Sequence, residues 1–198
     1  MRYEVFPHVP RANVMAFMVD RLAQHETVFS DYNSMCDEKC YSCPRCARAL
    51  KTIAYTLTKP NSIVWEVWNT ESVDLAGILY VTDVNLGCDA KAHYAFFDND
   101  LWSKTQVVES VIEWLFHDHE GWPALNRLTI EIPDFAFALA AHASRKLGFG
   151  GDTKYQAHKK NGKVSRTISV EGVKRKALRW RNTDRDVLIL GRLNEAIQ

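Results

Sequence analysis

Apolar positions along this chain first alternate, then recur every three or four residues, and the changes of period mark out its elements. MRYEVFPHV alternates as a first strand closed by Pro10. From Arg11 to Phe29, apolar residues fall at Val14, Phe17, Met18, Leu22 and Val28, which is helical spacing. Asp31 to Pro44 has no period and reads as a loop. Cys46 to Leu57 reads as a second helix, stopped ahead of Pro60. Three strand-like runs follow with only short polar turns between them: IVWEVWN from Ile63, LAGILYVTDVNLG from Leu75 and KAHYAFFD from Lys91. Thr105 to His117 then puts Val107, Val108, Val111, Ile112, Leu115 and Phe116 on one helical face, ended by Gly121 and Pro123. RLTIEIP, from Arg127, is the next strand, and Ala136 to Lys146 the next helix. Gly148 is placed to cap that helix in a left-handed conformation. GVKRKALRW and DVLILGRL close the chain as a hairpin around RNTDR. Gly150 to Val170 is polar and basic and reads as a solvated, mobile loop.

The 198 residues suit one domain, 1–198, with two additions: a cysteine-rich loop at 31–46 and a basic insertion at 150–170. With 46% hydrophobic and 25% charged residues the composition is that of a soluble globular protein. A net charge of +1 gives no overall pull toward nucleic acid or membrane. No apolar run approaches the roughly 20 residues of a membrane span. The N-terminal segment lacks the apolar core of a secretory signal, so a reducing cytoplasm is the expected compartment.

Cysteines therefore suggest metal before disulfide. Cys36, Cys40, Cys43 and Cys46 form C-x3-C-x2-C-x2-C. Clustered thiolates favour a soft or borderline ion, and a four-cysteine zinc site is the first expectation. An iron–sulfur cluster is the alternative, since Cys40, Cys43 and Cys46 approach a ferredoxin run. Unliganded thiols remain the plain reading. Cys88 stands alone and is expected to be inert. His117 and His119, at a helix end, are expected to complement its dipole.

The element order, with KLGF at the end of the last helix, resembles the GNAT superfamily of N-acetyltransferases. LAGILYV is similar to that family's third strand, KAHYAFF to its coenzyme-binding fourth and RLTIEIP to its fifth; in detail the chain is similar to GNAT-like proteins of tailed bacteriophages. The resemblance implies an α+β fold of three layers, with a central, mainly antiparallel sheet. Its fourth and fifth strands should form a parallel pair that splays apart. It also implies acetyl transfer from acetyl-CoA to an amine on a small molecule or protein. Coenzyme contacts would come from Phe96 and Phe97, and from Ser103, Lys104 and Thr105 where the pyrophosphate meets a helix start. His93 would be the base, with Asp98 at the end of its strand.

Two departures qualify the likeness. The family's phosphate loop is glycine-rich, yet no glycine lies between Ala90 and Glu120. The segment before the LGF turn reads HASRK without the family's tyrosine acid, which leaves Ser144 and His142 as candidates. Two readings of His93 stay open: catalytic base, or a partly buried strand histidine bonded to backbone. The whole chain likewise has a second reading, a GNAT-fold structural or interaction protein that has lost its chemistry, with virion or other protein partners and, if of phage origin, a place in the host cytoplasm or the particle.

Overall fold

The structure, a computed structural model, describes residues 2–7, 12–24, 44–97, 104–158, 164–180 and 183–195. The strands are β1 (Tyr3–Pro7), β2 (Ile63–Asn69), β3 (Asp74–Asn85), β4 (Asp89–Phe96), β5 (Arg127–Pro133), β6 (Thr153–His158), β7 (Val164–Val170), β8 (Gly172–Trp180) and β9 (Thr183–Leu193). The helices are α1 (Ala12–Gln24), α2 (Pro44–Thr58), α3 (Thr105–Leu115) and α4 (Phe137–Lys146). Two compact units emerge. One comprises Met1–Val84, Ala92–Val107 and Arg179–Thr183; the other comprises Asn85–Lys91, Val108–Leu178 and Asp184–Gln198.

In the first unit, β1 pairs antiparallel with β2 from Tyr3↔Asn69 to Pro7↔Trp65, and β2 pairs antiparallel with β3. Burial on β3 is continuous from Leu75 to Thr82, as expected of a strand covered on both faces. The β2–β3 register slips between Val67 and Trp68, opposite Gly77 and Leu75. Such a bulge turns the strand and brings backbones close. Met18 of α1 and Leu57 of α2 pack with Val64, Leu75, Ile78, Tyr80 and Ala95 into one apolar cluster. Of the expected α1 stripe, Met18 is buried and Val14 packs against the cluster, while Phe17 is exposed and the Leu22 side chain and Val28 lie outside what is described. Pro44 starts α2 two residues ahead of the expected helix, because proline suits a first turn, where its missing N–H has no partner to lose.

The second unit is built on β5, whose burial alternates so that Leu128, Ile130 and Ile132 face inward. β5 pairs antiparallel with β9 along its whole length, from Arg127↔Leu193 to Pro133↔Val187. Val111, Ile112 and Leu115 of α3 are buried. The end of that helix is tied down by Asn194, whose side-chain amide donates to the carbonyls of Phe116 (2.8 Å) and Leu125 (3.1 Å). α3 stops at Leu115, before the expected His117. There the His117 ring takes up the Glu113 carbonyl (2.6 Å) and the His119 ring the Trp114 carbonyl (3.0 Å), so the two histidines do serve the helix end.

The basic insertion is not a bare loop. β6 and β7 pair antiparallel from Thr153↔Val170 to His158↔Val164 as a separate two-stranded sheet. The polar residues hid a weak alternation in which Ile168 and Val170 are buried. Charged side chains on the exposed face drew the reading toward loop, but an antiparallel ribbon needs only one face covered.

The seven main strands are hydrogen-bonded in the order β1-β2-β3-β4-β5-β9-β8. The β1–β2, β2–β3 and β5–β9 pairings are antiparallel, whereas β4–β5 is parallel and in register only over Asp89–Lys91 and Arg127–Thr129. No further positions of the two strands are paired. The architecture is therefore the expected α+β one, with a mainly antiparallel sheet and a parallel β4–β5 pair.

Candidate functional site

The chemistry-bearing residues of β4 lie past Lys91, within the first unit. His93 stacks on the Tyr80 ring of the neighbouring strand, with centroids 4.7 Å apart and planes 12° apart. Its Nε2 lies 2.9 Å from Oγ1 of Thr82. The imidazole therefore has a side-chain orienter and a stacking partner, both from β3, where sequence reasoning had foreseen only backbone. Alternation along two antiparallel strands produces this, because Tyr80 and Thr82 share one face of β3. Tyr80 is deeply buried, and loss of solvation raises its pKa.

Tyr94 occupies the other face of β4, 5.6 Å from the Phe96 ring. Its hydroxyl oxygen is buried without a hydrogen-bond partner among the described residues, and desolvation raises its pKa as well. Neither tyrosine was singled out from sequence. The only available signal was an aromatic hydroxyl next to a strand histidine.

Lys104, immediately before α3, is 0% exposed. Its ammonium lies 4.6 Å from the Tyr3 ring centroid and 5.1 Å from that of Phe96. Among the expected coenzyme residues the structure thus joins Lys104 to Phe96, in an aromatic clamp not anticipated from sequence. A desolvated cation over ring faces gains about 2 kcal/mol from their quadrupoles, which helps offset its burial. Phe97 is half-buried and donates its backbone N–H to the Ala76 carbonyl (2.8 Å), while Thr105 opens α3. Gly77 allows β4 to lie close: a Cβ there would fall 2.5 Å from Cδ1 of Phe96 and 2.6 Å from the carbonyl oxygen of Ala95. Ser103 and Asp98 lie outside the described residues, as do Cys36, Cys40 and Cys43; Cys46 falls within α2. Among the described residues no group of three or more histidine, cysteine or acidic side chains is arranged to hold a metal ion.

Ser144 and His142 belong to α4, in the second unit. Ser144 is half-buried. His142 is buried, and desolvation, followed by the positive charges of Lys146 and Arg145, lowers its pKa. The turn after α4 has the expected form: Gly148 adopts φ +68°, and the N–H of Phe149 bonds back to the Ala143 carbonyl (3.2 Å).

Beside that turn the second unit holds a cavity of about 850 Å³. Arg192 crosses its wall, donating from Nη1 to Glu109 (2.9 Å) and to the Leu147 carbonyl (3.0 Å). A second ion pair joins Arg127 to Glu171. No sequence motif announced this cavity.

No protein-family model matches the chain, and no curated protein sequence matches it. Solved structures do match. A dodecameric spermidine N-acetyltransferase from Vibrio cholerae superposes with a TM-score of 0.63 at 8% identity, over 99% of this chain and 96% of that one. A ribosomal-protein-S5-alanine acetyltransferase from Vibrio fischeri gives 0.62 at 12% identity, over 100% and 96%. The fold is that of the GNAT acetyltransferases. The Vibrio cholerae spermidine enzyme in complex with CoA and spermine also matches, with a TM-score of 0.61 at 10% identity over 98% of this chain and 96% of that one. At these identities the likeness concerns the GNAT fold, and chemistry must be argued from the residues. Among the described residues no helix is long and apolar enough to cross a membrane.

Proposed function

We propose that the protein is a GNAT-type N-acyltransferase that moves an acetyl group from acetyl-CoA to an amine. The observation that carries this reading is His93, held on β4 by Thr82 and Tyr80. The residues present fit the coenzyme in two respects. β4 runs on to Phe96 beyond the three positions it shares with β5, so its backbone there can pair with an extended amide chain as an added strand would. Thr105 and the N-terminal turn of α3 suit a pyrophosphate, because the helix dipole favours an anion there, and the buried Lys104 side chain lies immediately before that turn.

Acetyl-CoA would supply an acyl carbon already activated as a thioester. What the protein must supply is an amine with its lone pair free. His93 accepts the amine's proton, and the Thr82 contact and Tyr80 stack fix the ring's angle so that this transfer needs no search. A thiol pKa of about 8.5 makes the departing thiolate tolerable near neutrality without a strong acid. Ser144 and His142 carry no step in this scheme.

His93→Ala should lower kcat by about 10²–10⁴-fold, the usual worth of a positioned base, with coenzyme affinity kept. Thr82→Val should shift the pH dependence of kcat while leaving the stacked ring in place. Replacing Lys104 by methionine should weaken coenzyme A binding, measured by calorimetry, with the fold retained. Absence of any coenzyme A binding at millimolar concentration would sink the enzyme reading.

One observation favours a second reading, a GNAT-fold interaction protein without chemistry: the stretch from Ala90 to Glu120 has no glycine to let backbone close on phosphate. The two readings divide on the coenzyme A titration. The four clustered cysteines form a separate proposal, a structural zinc site.

A further inference from the structure

We propose that the glycine-walled cavity of the second unit is a binding site for a small zwitterion with the charge pattern of a free dipeptide. Its volume of about 850 Å³ is that of a ligand pocket rather than a packing fault. Four glycines line it: Gly148, Gly150, Gly151 and Gly191. A side chain on either of two of them would collide, with backbone at Gly151 and with the movable end of the Glu171 side chain at Gly191. A Cβ on Gly151 would sit 2.2 Å from the Glu171 backbone nitrogen, and one on Gly191 would sit 2.0 Å from the Glu171 carboxylate. Gly150 is different, because a Cβ there would meet nothing within 4 Å. The wall is therefore bare backbone facing open space, and a ligand can lie directly against peptide groups.

The charges select the ligand. Arg192 is matched by Glu109, and Arg127 by Glu171, so neither guanidinium offers an uncompensated charge. Each pair still leaves one buried atom without a hydrogen-bond partner among the described residues: Nε of Arg127, a donor, and Oε2 of Glu109, an acceptor. Lys146, Asp152 and Glu195 stand exposed around the cavity. A simple anion would be drawn to Lys146 but repelled by the two acids, and a simple cation would meet the reverse. An apolar molecule would strand the polar wall. A molecule with an ammonium at one end and a carboxylate at the other satisfies both signs at once and leaves both Arg–Glu pairs intact. An amide between its ends can use the glycine backbone.

The test uses the whole chain and glycylglycine, followed by thermal shift and calorimetry. Glycylglycine at millimolar concentration should raise the melting temperature. N-acetylglycylglycine and glycylglycine amide, each lacking one charge, should bind at least about tenfold more weakly. Gly150→Leu should project a side chain from the glycine wall into the cavity, cover the backbone there and abolish the shift. The residue is outside the left-handed region, and its backbone bond to the Gly191 carbonyl (2.7 Å) needs no side chain. Lys146→Gln should weaken glycylglycine while leaving the amide unchanged, and it decides the matter should Gly150→Leu fail to fold. No shift with glycylglycine, equal binding of the capped analogues, or wild-type binding by a folded Gly150→Leu protein would each overturn the proposal. Because every residue involved lies outside the His93 and Lys104 region, a coenzyme A titration of the same variants separates this outcome from that of the acyltransferase reading.

Discussion

Replacing Gly77 with alanine would place a methyl group 2.5 Å from Cδ1 of Phe96, 2.6 Å from the Ala95 carbonyl oxygen and 3.1 Å from Cα of Phe96. The aromatic ring can rotate away, but two of the three atoms are backbone of β4, so the strand itself must retreat. Alanine in place of glycine ordinarily gains about 0.5–1 kcal/mol in a strand by reducing unfolded-chain freedom. Overpacking against an immovable wall costs about 1–3 kcal/mol. The clash should win, for a net loss of about 1–2 kcal/mol, or roughly 2–8 °C in melting temperature for a chain of this size. Gly150→Ala is the internal control, since nothing lies within 4 Å of its Cβ and only the entropic gain applies. Urea denaturation of the two variants side by side gives the comparison directly. A retreat of β4 also carries His93 away from Thr82, so if the proposed acyltransferase reading holds, acetyl transfer by the Gly77→Ala protein should fall further than its stability does. A variant as stable as Gly150→Ala would refute the idea that close approach at Gly77 sets the path of β4.

Gly191→Ala meets the Glu171 carboxylate rather than backbone, so that side chain can swing aside; the cost should be the Arg127 pair alone, no more than about 1 kcal/mol for a half-exposed ion pair. A double-mutant cycle of Gly191→Ala with Glu171→Gln should then be non-additive. His142 has its pKa lowered in the folded state, so below about pH 6.5 the unfolded chain binds the extra proton and stability falls as pH drops toward the folded value. Denaturation curves between pH 7 and pH 5 should show this loss, and His142→Asn should flatten it. Elemental analysis of protein purified without added metal should find about one zinc per chain, with Cys40→Ser and Cys43→Ser removing it and lowering stability. Iron with sulfide would transfer the site to a cluster, and disulfides among the four would end both readings.

Periodicity alone determined most of the elements, because burying one face of a helix or strand leaves a repeat of 3.6 or 2 in the chain. α3, α4, β3, β4 and β5 were legible for that reason, and the turn at Gly148 because only a residue without Cβ adopts φ +68° cheaply. The β6–β7 ribbon was missed, since a strand pair with one solvated face and many lysines looks locally like a loop. The sequence also named His93 and Lys104 without revealing their surroundings. That Thr82 and Tyr80 hold the first, and that Tyr3 and Phe96 enclose the second, depends on the tertiary fold, which places residues eight to about a hundred positions apart within a few ångströms. The glycine-walled cavity was wholly a tertiary decision. Its glycines are separated by some forty residues of chain, and their meaning lies in Glu171 folding across them to reach Arg127, a contact between side chains that no local pattern encodes.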